Sequence, residues 1–84
     1  MKLAKNVVFC ETDYGAVLLD EQSGRYWTLN PTGALAMGVL LDGKDQGEAV
    51  DAVVELYPAQ RDTVSTGVSN LLDQLHDAGL LEEK

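Results

Sequence analysis

The dipeptide Asn30-Pro31 divides the chain into two stretches of different periodicity, and that division constrains the fold more than any other feature. A residue before proline is held extended, so a strand can run up to Asn30 but a helix cannot run through it. Asparagine is also a good helix N-cap and proline suits the first helical position, so a helix starts at once. Upstream of the junction the pattern is strand and turn, and downstream it is helix.

Upstream, residues 6–11 (NVVFCE) are rich in β-branched and aromatic side chains, and Thr12-Asp13-Tyr14-Gly15 can close a hairpin. Residues 15–20 (GAVLLD) read as a second strand, Glu21-Gln22-Ser23-Gly24 as a turn and residues 25–29 as a third strand. Turns this short predict an antiparallel meander with the second strand central and a free edge on each outer strand. Cys10 is the single cysteine, so no internal disulfide can form, and its apolar run predicts a buried small hydrophobe.

Downstream, residues 31–42 are apolar nearly all round, which suits a helix buried on more than one side and ended by Gly43. Gly38 within it costs about 1 kcal/mol relative to alanine, and the expected reason is close approach of a neighbouring helix or the sheet. From Asp45, the residues Ala49, Val50, Val53, Val54 and Tyr57 recur at helical spacing until Pro58, with Glu48, Asp51 and Glu55 opposite. A third helix runs from about residue 59 or 62 to 78, with Val64, Val68, Leu71, Leu72 and Leu75 as its stripe, Gly79 as its cap and Leu80 folded back on the last turn. Three strands followed by three helices give an α+β fold with helices over one face of a small sheet, an order that fits a winged helix-turn-helix with its wing at the front.

The 84 residues predict one domain, 1–84, with a single small core. No apolar run approaches the roughly 20 residues of a membrane span and no signal-peptide pattern opens the chain, so a cytoplasmic protein is expected.

Catalytic chemistry has little to draw on. The only histidine, His76, lies between Gln74 and Asp77 on the third helix, and nothing brings it to Cys10, so no activated nucleophile and no catalytic residue is predicted. Asp73, His76 and Asp77 occupy neighbouring helical positions, yet a zinc site usually takes four ligands, and a solvated charged face is the better reading. No phosphate-cradling glycine loop is present, and neither a metal nor another cofactor is expected. The net charge is −8, with four acids and three bases in residues 1–41 against ten acids and three bases in residues 42–84. An acidic winged-helix DNA-binding regulator is the alternative from another class. Its reading helix would carry Arg61 against Asp62, Asp73 and Asp77, the wrong sign for phosphate contacts.

The third strand is the remaining candidate. Lys2 and Lys5 precede the first strand and can blunt its edge, whereas the third strand carries only Arg25 as a guard. An extended peptide can add beside Arg25, Tyr26, Trp27, Thr28 and Leu29, provided an apolar wall receives its side chains. Val64, Val68, Leu71, Leu72 and Leu75 are the candidate wall. A stripe that serves both core and cleft must divide its members, and Val64, Val68 and Leu71 are the ones at that division.

GAVLLD at 15–20, GRYWTLNPTGA at 24–34, LLDG at 40–43, LLDQL at 71–75 and GLL at 79–81 together resemble the PqqD-like proteins, also called RiPP recognition elements. The match covers nearly the whole chain, and the junction of strand, Leu-Asn-x-Thr-Gly and helix is its most specific part. The resemblance implies a winged helix-turn-helix without catalysis of its own, which takes the leader of a ribosomally made precursor peptide as an added strand between the third strand and the third helix. A freestanding chain of this length resembles the discrete recognition protein of lasso-peptide clusters. That implies a transglutaminase-like cysteine leader peptidase as partner, followed by an ATP-dependent cyclase; the alternative within the class is a peptide chaperone for a radical-SAM enzyme.

Overall fold

The structure is a computed structural model and describes residues 1–82. Its elements are β1 (Val7–Thr12), β2 (Gly15–Asp20), β3 (Tyr26–Leu29), α1 (Pro31–Leu41), α2 (Gln46–Leu56) and α3 (Arg61–Asp77). The strands form one antiparallel sheet in the order β1-β2-β3, with Phe9 opposite Leu18 and Leu18 opposite Trp27. The expected α+β order and central second strand are both found.

Local chemistry sets the boundaries. Asn6 takes a left-handed backbone, φ 72°, and the Val7 amide donates to the Ala4 carbonyl, so β1 starts one residue later than the expected stretch 6–11. Arg25 lies just outside β3, where its carbonyl accepts the Asp20 amide at 2.9 Å and closes the second hairpin. The Asn30 side chain accepts from the Gly33 amide at 2.8 Å and caps α1. Asp45 and Glu48 form a reciprocal capping box at the start of α2. Tyr57 is an extended C-cap rather than a member of the α2 stripe, as the residue before Pro58 must be. At the end of α3, Gly79 donates to the His76 carbonyl and Leu80 to the Leu75 carbonyl, a Schellman closure that drives Leu80 into the core.

Alternation gives the sheet two unlike faces. Phe9, Ala16, Leu18, Trp27 and Leu29 point towards the helices, where Leu18, Met37, Leu75 and Leu80 are among the most enclosed side chains. Val8, Cys10, Val17, Leu19, Tyr26 and Thr28 occupy the other face. Cys10 is exposed, which overturns the expected burial: it has the opposite strand parity to Phe9, and α1 covers only the Phe9 side. Gly38 also departs from expectation. A side-chain carbon there would meet nothing within 4 Å, so close packing is not what the glycine serves.

Candidate peptide-binding edge and cleft

Among the described residues β3 has a neighbouring strand on one side only. The Asp20–Arg25 hydrogen bond fixes which main-chain groups of the strand face β2, and antiparallel alternation then turns the N–H and C=O groups of Tyr26 and Thr28 towards the open edge. The Asp20–Arg25 turn holds that edge in place. The Asp20 carboxylate accepts from the Ser23 hydroxyl at 3.0 Å and the Gln22 amide at 3.0 Å, and the Ser23 hydroxyl in turn accepts from the Arg25 amide at 3.2 Å. The Ser23 hydroxyl, then the Gln22 amide, hold the Asp20 carboxyl below its ordinary value.

Beside the open edge lies a cleft of about 400 Å³. β3 contributes Thr28 and Leu29, the α1 N-terminus contributes Gly33, and α3 contributes Val64, Gly67, Val68 and Leu71. The cleft exists because α3 packs chiefly on α2 and far less on β3 beside it. Val53 of α2, 1% exposed, forms part of its floor. Arg61 and Asp51 pair across the α2–α3 junction, but both are exposed and the pair adds little to stability.

The candidate residues from the sequence take several places. Thr28, Leu29, Val64, Val68 and Leu71 line the cleft together. Tyr26 supplies edge main chain while its side chain, 66% exposed, stands on the outer sheet face. Trp27 points inward, half-buried against the core, and the Arg25 guanidinium lies 5.0 Å from its ring centroid. Leu72 packs against the core and Leu75 is 2% exposed within it, and neither lines the cleft. Sequence reasoning missed Gly67 and Val53. Gly67 had a readable signal: a glycine inside a helix costs about 1 kcal/mol, and this one has nothing within 4 Å of where a side chain would start. It lowers the helical wall and widens the cleft.

Among the described residues no cluster of three His, Cys, Asp or Glu side chains is placed to hold a metal ion. No described helix is long and apolar enough to cross a membrane.

A sheet edge with free main-chain groups, open beside an apolar helical wall, defines a scaffold of the peptide-recognition class on a winged helix-turn-helix. The chain belongs to the PqqD family: residues 15–81 match the model of Coenzyme PQQ synthesis protein D, PqqD, and the fold is that of a PqqD-like RiPP recognition element. Curated proteins offer no match to it. Two solved structures are similar throughout. One, lasso peptide synthetase B1 complexed with the leader peptide, is 34% identical, with a TM-score of 0.83 over 94% of this chain and 93% of that one. The other, TbiB1 in complex with the TbiA(beta) leader peptide, is also 34% identical, with a TM-score of 0.84 over 100% of this chain and 98% of that one.

Proposed function

We propose that this protein binds the leader segment of a ribosomally made precursor peptide, of the lasso type, as a fourth strand on β3, and presents it to a cysteine leader peptidase. The observation that carries the reading is the pairing of free main-chain groups at Tyr26 and Thr28 with the apolar cleft between β3 and α3. Both similar solved proteins are in complexes with leader peptides, which supports the same ligand class here. The protein does no chemistry in this scheme; the peptidase and a later ATP-dependent cyclase do it.

Magnitudes divide the work between edge and cleft. Two N–H and two C=O groups give four new hydrogen bonds at about 1 kcal/mol net each, which ordering five peptide residues at about 1–2 kcal/mol each largely cancels. Two apolar anchors buried in the cleft at about 1.5–3 kcal/mol each tip the balance. The edge therefore sets the register of the leader, and the cleft supplies the affinity.

Titration of a fluorescent leader peptide tests this. Val68 is 6% exposed and a charge there threatens the fold, so the informative variants are Leu71→Asp and Val64→Asp at half-buried wall positions and Thr28→Pro at the edge. Each is expected to weaken binding while helical circular dichroism is kept. Unchanged affinity in folded variants removes the β3–α3 site. Adding the peptidase to the leader-bound protein tests presentation: cleavage no faster than for free precursor removes that part.

A further inference from the structure

The sheet has a second open edge, on β1, and a second cleft lies beside it. This cleft, of about 590 Å³, is bounded by Phe9, Glu11 and Asp13 on the β1 side and by Leu35, Gly38 and Asp42 of α1 and its C-cap on the other. The Val7 amide is taken by the Ala4 carbonyl, so alternation turns the main-chain groups of Phe9 and Glu11 away from β2, towards open solvent. Lys2 and Lys5 lie before the other end of the strand and do not guard this stretch.

Gly38 supplies an independent sign of use. It sits inside α1 at a cost in helix stability, no neighbour requires it, and its missing side chain leaves the wall of this cleft open. The floor is apolar, with Phe9, Leu35 and Val39, and the rim carries Glu11, Asp13 and Asp42, all exposed and none in an ion pair among the described residues. Lys44, two residues beyond Asp42, is the nearest cation in sequence and does not line the cleft. A second copy of this chain, docked through the same edge about a twofold axis, would bring the same three acids against these. A basic occupant meets complementary charge instead.

We infer that the β1–α1 cleft docks an extended, apolar segment of a protein partner that carries lysine or arginine at the positions facing Glu11, Asp13 and Asp42. This does not depend on what β3 binds. The two edges lie on opposite sides of the sheet, so a segment on β1 and a peptide on β3 can be held together, and the domain then acts as a two-sided adaptor.

The probe is the peptide acetyl-Lys-Thr-Leu-Thr-Lys-amide, which as a strand places both lysines and the leucine on one face; the control replaces both lysines with glutamate. In amide-resolved NMR of the labelled full chain, the lysine peptide is expected to move the signals of Phe9, Glu11, Leu35 and Gly38 and leave Thr28 in place. Salt near roughly 0.5 M should suppress the response, since the rim charges are exposed. Glu11→Lys and Gly38→Leu should each weaken it about tenfold, with the spectrum elsewhere unchanged. The inference is overturned by an equal response to both peptides, by shifts confined to the β3–α3 cleft, by no shifts at millimolar peptide, or by β1 signals that move only with protein concentration.

Discussion

Gly15 and Leu29 meet backbone to backbone: a side-chain carbon on Gly15 would drive into the Leu29 carbonyl oxygen. Gly15 also has φ +143°, outside the usual range of L side chains. The contact sets the end of β3 against the start of β2, directly before the Asn30 cap. Gly15→Ala is therefore expected to destabilise by about 2–4 kcal/mol, read as a fall in the urea midpoint with unchanged slope. A loss under about 0.5 kcal/mol would show that the backbones separate easily.

Gly67 separates stability from binding. Gly67→Ala should stabilise α3 by up to about 1 kcal/mol, because the added carbon meets nothing within 4 Å and removes the glycine penalty. Gly67→Leu should keep the fold but fill the cleft and weaken leader binding. Equal leader affinity in the wild type and Gly67→Leu, measured by fluorescence anisotropy, would place the peptide elsewhere.

Asn30 holds the junction between sheet and helix. Removing its bond to the Gly33 amide in Asn30→Ala should cost about 1 kcal/mol. In a domain of this size that lowers Tm by roughly 4–8 °C, while Asn30→Asp should lose much less.

The Asp20 turn should respond to acid with a defined sign. Its folded carboxyl titrates below its ordinary value, so the stabilisation it gives is present above that ordinary value and is lost as pH falls through the lower folded one. NMR titration should show a depressed Asp20 midpoint that rises in Ser23→Ala, the variant that removes the largest cause. An unmoved midpoint in that variant would assign the depression to the Gln22 amide instead.

Cys10 should react in the native state. Its thiol stands on the uncovered sheet face, so a disulfide-exchange reagent should label it at nearly the rate seen in denaturant. Strong native protection would mean that something covers that face in solution.

The order of elements and most of their ends are legible in short stretches of residues. Asn30-Pro31, Gly43, Pro58 and Gly79 act through φ, capping and missing amides, and these are properties of a few adjacent residues. Tertiary structure decided what faced what. A strand shows an alternation but not which of its faces the helices cover, and one step of parity separates half-buried Phe9 from exposed Cys10 and inward Trp27 from outward Tyr26. A helix stripe likewise does not say where its neighbours end. Only the placement of α3 on α2, away from β3, left Val64, Val68 and Leu71 to line a cleft while enclosing Leu75, and only the open space around Gly38 and Gly67 distinguished them from packing glycines. Contacts between distant segments depend on where each one comes to rest, and no local pattern carries that information.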